Sequence, residues 1–115
     1  MKTIAYVRVS TNAQDVTHQR LAILEFARTE RLVVDAFLEM QASARSSLKA
    51  RHIEVLFDSL ERGDTLIVSE LSRLGRSVGE IMTIVDRLVR QQIRVFALKK
   101  GLRLTGAQDL QITRA

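Results

Sequence analysis

Short apolar runs alternate with apolar stripes of helical period along this chain, and that alternation sets the fold expectation. Within residues 3–9 the apolar run 4–7 is unbroken, which predicts a strand buried on both faces. Thr11-x-x-Gln14 has the form of a capping box, so a helix is expected from Thr11 to about Arg28, burying Leu21, Ile23, Leu24, Phe26 and Ala27. Residues 33–38 read as a second strand, and the small polar stretch 39–47 reads as an exposed loop. Ile53, Leu56, Phe57 and Leu60 follow the i, i+3, i+4, i+7 rule of a one-faced helix. Gly63-Asp64 closes that helix with a turn, and residues 65–68 form a third strand. Ser77-x-x-Glu80 is a second capping box, opening a helix expected to bury Val78, Ile81, Met82, Val85, Leu88 and Val89. A fourth strand spans residues 94–98. After Gly101 large apolar residues thin out, and residues 107–115 would begin one more helix.

Strands alternating with helices predict an α/β fold: a three-layer sandwich around a mainly parallel sheet of four to five strands. A chain of 115 residues suits one domain with its own core. Proline is absent, so helix ends are expected to rest on caps and glycines. No apolar run approaches the roughly 18 residues of a membrane span, and no long apolar stretch near the N-terminus marks a signal peptide. Cysteine is also absent, which removes disulfides and thiolate metal sites. With His18 and His52 as the two histidines, a zinc site would need an unusual ligand set. The expectation is an intracellular domain with no metal.

Charge adds a direction. The net charge is +5, and of 18 basic residues 14 are arginine and four lysine. Arginine's planar fork matches phosphate oxygens two at a time, where lysine offers a point charge. The balance points to nucleic acid or another phosphate-rich partner, although many basic domains bind neither.

In parallel α/β sheets, sites form beyond the carboxyl ends of the strands. The first strand closes with Tyr6-Val7-Arg8-Val9-Ser10, and strand alternation puts Tyr6, Arg8 and Ser10 on one face. An arginine in a strand that otherwise reads as core is costly unless it is paired or reaches water. Either Arg8 pairs with a carboxylate from a neighbouring helix, or it points to an anionic substrate beside Ser10. The third strand runs on into Ser69-Glu70-Leu71-Ser72-Arg73-Leu74-Gly75-Arg76-Ser77. Arg73 and Arg76 either surround a phosphate at a helix start or belong to a solvated loop. Neither His18 nor His52 is placed as an obvious general base for a serine. The arrangement is closer to phosphoryl transfer run by arginine electrostatics than to an acyl-transfer triad. No glycine-rich nucleotide-binding loop follows the first strand.

Tyr6-x-Arg8-Val9-Ser10-Thr11-x-x-Gln14, with Gln19 five positions later, resembles the opening of the serine recombinases, the resolvase and DNA-invertase family. The stretch from Gly63 to Val68, leading to Ser72-Arg73-Leu74-Gly75-Arg76-Ser77, resembles that family's second signature. The resemblance implies a resolvase-like catalytic domain over residues 1–105, with 106–115 starting a truncated C-terminal helix. It implies site-specific cleavage and rejoining of double-stranded DNA, with Ser10 as nucleophile and a 5′-phosphoserine intermediate. Arg8, Arg73 and Arg76 would hold the phosphate, with Tyr6, Gln14, Gln19 and Ser72 supporting; helix capping is the alternative for Gln14. Neither a metal nor another cofactor is implied, nor a membrane. The full-length protein would act as a homodimer and a tetramer, in the cytoplasm at the nucleoid.

Three positions depart from the family pattern. The family commonly has an aspartate where Ser72 stands, which bears on any acidic role there. The family also carries an active-site arginine in the loop after the second strand. Here Ala50 falls at that point, flanked by Lys49 and Arg51, with Arg45 upstream. Arg51 is the first candidate and Arg45 the second; a solvated charge run is the alternative. The family continues into a long dimer-contact helix and a DNA-binding domain, of which residues 108–115 would be the first turns. Two competing readings follow: a truncated or degenerate domain that only binds partner subunits or DNA, and a small phosphatase or other phosphate-binding α/β domain.

Overall fold

Thr3–Val9 forms β1, where Ile4, Ala5, Tyr6 and Val7 are all buried, as the unbroken apolar run predicts. The structure is a computed structural model and describes residues 1–9, 13–41, 46–75 and 77–104. The elements that follow are α1 (Ala13–Thr29), β2 (Ala36–Gln41), α2 (Ser46–Ser59), β3 (Thr65–Val68), α3 (Val78–Arg90), β4 (Arg94–Ala97) and β5 (Leu102–Leu104). Short 3₁₀ turns at Leu71–Leu74 and Lys99–Gly101 follow β3 and β4. The sheet order is β2-β1-β3-β4-β5; β1 to β4 are mutually parallel and β5 returns antiparallel. This is the expected α/β sandwich.

Crossover direction explains the layers. The chain moves one way across the sheet from β1 to β2, then the other way from β2 to β3 and from β3 to β4. Crossovers of one hand that run in opposite directions place their helices on opposite faces. Accordingly Ile23 and Ala27 of α1 pack on Ala5, Val7, Ile67 and Phe96. On the other face, Leu56 and Phe57 of α2 and Ile84, Val85, Leu88 and Val89 of α3 cover Ile4, Tyr6, Leu66, Val68 and Val95. Each fully buried aliphatic side chain here contributes about 1.5–3 kcal/mol over its exposed state.

Several expected details shift. The second strand lies at Ala36–Gln41, not 33–38, and Val33 is 77% exposed. Asp35 fixes its start by exchanging bonds with Thr3: its carboxylate accepts from the Thr3 amide (2.7 Å) and its own amide donates to the Thr3 carbonyl (2.8 Å). As an edge strand, β2 tolerates polar Glu39, so the expected loop at 39–47 is strand at one end and helix at the other. On α1 the buried stripe runs through Val16, Gln19, Ile23, Phe26 and Ala27, which leaves Leu21 and Leu24 exposed. On α3 burial begins at Ile81, so Val78 in the first turn is exposed and Met82 lies at the stripe's margin. Periodicity sets a helix's inward face but not where along the helix the sheet begins. The fourth strand ends at Ala97, and β5 had no counterpart among the individually expected strands.

The helix ends depart from the glycine expectation too. Arg31 and Gln92, at φ 60° and 63°, terminate α1 and α3 in the left-handed region. Paired bonds close each end: Leu32 N–H to Ala27 and Arg31 N–H to Arg28, then Ile93 N–H to Leu88 and Gln92 N–H to Val89. The start of α3 is as expected, with the Ser77 hydroxyl accepting from the Glu80 amide at 3.1 Å.

Asp64 anchors the turn before β3. Its buried carboxylate accepts from the Lys2 amide (3.0 Å), the Glu61 amide (2.8 Å) and the Lys2 ammonium (3.0 Å). Burial alone would raise its pKa, but these bonds together hold it below the ordinary carboxylate value. A group with a depressed folded pKa stabilises above its unfolded value, 3.8 for this carboxylate, and loses that contribution as the pH falls through the folded one. Asp64→Asn turns an amide donor toward donors, so it is expected to cost about 2 kcal/mol at neutral pH. Urea melts from pH 7 to pH 3 should show that gap closing toward the acid end; a gap independent of pH would contradict the assignment.

Candidate active site

The sheet order reverses direction at β1 and β3, and their carboxyl ends frame the crevice where such folds bind ligands. Register pairs Tyr6 with Val68, so the two strands deliver Arg8 and Ser69-Glu70 to the same end. Gln19 ties α1 to that end. It is 4% exposed, and its amide nitrogen donates to the Arg8 carbonyl (3.2 Å) and to Asp15 Oδ2 (3.1 Å).

Among the described residues, four buried polar atoms at this end of the sheet have no hydrogen-bond partner: Arg8 Nη1, Gln19 Oε1, Ser69 Oγ and Arg73 Nε. Among the described residues no carboxylate forms an ion pair with Arg8, so the expectation of a neighbouring-helix partner finds no support there. Arg73, whose side chain is 23% exposed, stands between two carboxylates. Its Nη2 is 3.6 Å from Asp15 Oδ1 and its Nε is 3.7 Å from Glu70 Oε1. These distances neutralise charge but are too long for hydrogen bonds, so Arg73 Nε keeps an unspent donor.

The carboxylate of Glu70 is itself fixed. The Ser72 hydroxyl donates to Oε1 at 2.7 Å, and the Lys99 ammonium pairs with Oε2 at 3.3 Å. The Ser72 bond, with help from Lys99 and Arg73, holds the Glu70 pKa below its ordinary value against the opposing effect of burial. Lys99 is held at this rim by its amide bond to the Ser69 carbonyl (2.8 Å). A cavity of ≈ 270 Å³ is lined by Glu70, Leu71, Ser72, Lys99 and Leu102.

The structure therefore brings Arg8, Gln19, Ser72 and Arg73 to one end of the sheet. Tyr6 buries its ring in the larger core, and burial pushes its phenol pKa up while the Arg8 charge opposes. Gln14 lies exposed in the first turn of α1. His18 is exposed on α1, whereas Arg51 and His52 fall in α2 with their side chains outside the described residues. Ser10, Arg45 and Arg76 also lie outside the described residues. Sequence reading missed Asp15, Glu70 and Lys99 as parts of this cluster. The available signals are the i, i+4 spacing of Asp15 and Gln19 and the place of Glu70 and Lys99 just past strand ends. Among the described residues no group of three or more His, Asp or Glu side chains is placed to hold a metal ion. No helix of those residues is long and apolar enough to cross a membrane.

Comparison with known proteins gives a consistent picture. The family described as "Resolvase, N terminal domain" matches residues 3–113. Protein uvp1 of Escherichia coli is 36% identical over 96 residues, covering 84% of this chain and 48% of that protein. The transposon Tn2501 resolvase of Escherichia coli is 38% identical over 103 residues, covering 87% and 51%. The DNA-invertase of Escherichia phage P1 is 42% identical over 85 residues, covering 74% and 42%. The chain thus spans about half the length of the curated relatives it matches. In structure it is similar to the N-terminal catalytic domain of TP901-1 integrase, with TM-score 0.72 and 21% identity, over 99% of this chain and 89% of that one. A resolvase-family site-specific recombinase from Streptococcus pneumoniae gives TM-score 0.71 and 18% identity, over 99% and 82%. At these identities the structural likeness concerns the fold.

Proposed function

This chain belongs to the resolvase family, and from that premise we propose that it is the catalytic domain of a serine recombinase that cuts and rejoins double-stranded DNA. The observation that carries the reading is the set of unpartnered polar atoms where β1 and β3 end. Buried donors left without acceptors are costly, and two of them belong to arginines from different elements. A phosphodiester supplies the missing acceptors and the negative charge in one group. Ser10, two residues after Arg8, is the nucleophile in this reading, and residues 1–105 form the catalytic domain with 106–115 opening a further helix.

The Ser10 hydroxyl gives up its proton as its oxygen attacks phosphorus, the bond to the 3′ oxygen breaks, and the departing oxygen takes up a proton to become a free 3′-hydroxyl. A 5′-phosphoserine link remains, and reversal with a different 3′-hydroxyl joins exchanged strands. The bond energy stays in the covalent link, so the step balances without a nucleotide. Arg8 and Arg73, with Arg76, stabilise the charge that builds on phosphorus oxygens. Gln14 and Gln19 support the site, and Arg51 or Arg45 adds a further cation. Strand exchange between two duplexes needs four nucleophiles, so the full-length protein acts as a tetramer assembled from dimers.

The test is incubation of the full-length protein with supercoiled plasmid carrying its candidate site, stopped with denaturant. Nicked or linear DNA carrying covalently attached protein is the expected product. Retarded DNA without any denaturation-resistant adduct would favour a domain that only binds, and hydrolysis of small phosphate esters would favour a phosphatase.

A further inference from the structure

We propose that Glu70 is a positioning residue for phosphoryl transfer: its carboxylate, clamped between Ser72 and Lys99, holds the Arg73 guanidinium in the crevice with its donors unspent. The inference rests on the recombinase reading for its chemistry and on the geometry of the 3₁₀ turn for its structure. Both carboxylate oxygens are committed, Oε1 to the Ser72 hydroxyl at 2.7 Å and Oε2 to Lys99 at 3.3 Å. Oε1 also stands 3.7 Å from Arg73 Nε, and the Arg73 amide donates to the Glu70 carbonyl at 3.1 Å. The acid and the arginine therefore move as one unit on a short turn.

The balance on Arg73 makes that unit matter. Asp15 pulls from the α1 side at 3.6 Å, and Glu70 pulls from the turn at 3.7 Å. With two anions flanking it and neither within hydrogen-bonding reach, the guanidinium is centred, and Nε stays buried without an acceptor. If the Glu70 charge is removed, Asp15 is the one anion left beside Arg73 in this cluster. The guanidinium then closes onto Asp15, forms a direct salt bridge, and turns its donors away from the phosphate position. Lys99, freed from Glu70, gains a more solvated position at the rim.

Glu70→Gln keeps the shape and an acceptor for Ser72 but removes the charge. In the full-length protein it is expected to slow covalent adduct formation by about ten- to a hundredfold, because displacing a reacting group by about an ångström costs up to 10²-fold. DNA retardation on gels should not weaken, because the substitution removes an anion and leaves every cation in place. Ser72→Asp is the second variant: the Ser72 oxygen already lies 2.7 Å from the Glu70 carboxylate, so an acid there reaches the same space. Glu70→Gln combined with Ser72→Asp should recover most of the adduct rate, which a loss of mere stability would not allow. A readout independent of cleavage is the Arg73 Nε–H resonance in ¹⁵N-labelled protein. It should shift in Glu70→Gln and return toward its wild-type position in the double variant. Unchanged adduct rates in Glu70→Gln, failed rescue, or an unmoved Arg73 resonance would each overturn the role. A wild-type protein that forms no adducts while the resonance still responds would overturn the recombinase reading and leave the positioning of Arg73 intact.

Discussion

Ser10→Ala in the full-length protein is expected to abolish covalent protein–DNA adducts while leaving DNA binding within a few-fold of wild type. A covalent enzyme that loses its nucleophile has no alternative atom to form the intermediate, and such losses reach about 10⁶-fold elsewhere. The rest of the phosphate site should survive, since Arg8 and Arg73 come from different elements and the substitution removes one neutral oxygen. Binding is carried by cations whose number the variant leaves unchanged, so its salt dependence should also stay the same. Two measurements suffice: denaturing gels for the adduct and native gels over a salt series for binding. Adducts that persist in Ser10→Ala would place the nucleophile on another residue. Loss of both adduct and binding would instead mean that the substitution damages the fold, which thermal melting of the variant detects.

The first and third strands are legible because they are central and paired on both sides, and each carries an unbroken apolar run, at residues 4–7 and 66–68. The sequence pattern places β2 three residues early because an edge strand exposes one side, and polar Glu39 and Gln41 look like loop in the sequence. β5 is three residues long and follows directly on a 3₁₀ turn, so it leaves no run for periodicity to detect. Leu21 and Leu24 read as inward because they are apolar, although the 3.6-residue stripe through Ile23 and Ala27 excludes both.

The site divides along a similar line. Arg8 stood out because a charge inside an apolar strand is anomalous, and Arg73 because it follows a strand end. Their convergence depends on β3 lying beside β1, which is a property of sheet order and not of any local pattern. Asp15, Glu70 and Lys99 escaped notice because exposed-looking charges are common along any sequence. Only the fold shows that all three meet the same guanidinium or its partner. Ser72 changes meaning in the process. Read alone it is a missing acid; in the structure its hydroxyl orients an acid two residues earlier.

Arg73→Ala is expected to lower the cleavage rate by about 10³–10⁵-fold, the range found when a phosphoryl-transfer site loses a transition-state arginine. DNA binding should fall by far less, because one phosphate contact among many contributes a small share of a distributed electrostatic attraction. The asymmetry follows from the geometry. At 3.6 and 3.7 Å from its carboxylate neighbours, the guanidinium is paid in charge but not in hydrogen bonds. Its directed donors are thus available for oxygens that gain charge only as the phosphorus–oxygen bonds change, and such interactions act on rate more than on affinity. Arg73→Lys separates the two contributions. It keeps the positive charge between Asp15 and Glu70 but lacks the planar fork, so it should bind DNA like wild type and still cleave poorly. Removing the charge altogether in Arg73→Ala leaves Asp15 and Glu70 without their shared counter-ion, which should reduce the salt slope of binding by about one phosphate contact. Equal losses of cleavage and binding in Arg73→Ala, with full activity in Arg73→Lys, would reduce Arg73 to a general phosphate tether. The transition-state role would then have to pass to Arg8, whose Nη1 is, among the described residues, the other guanidinium nitrogen buried without a partner.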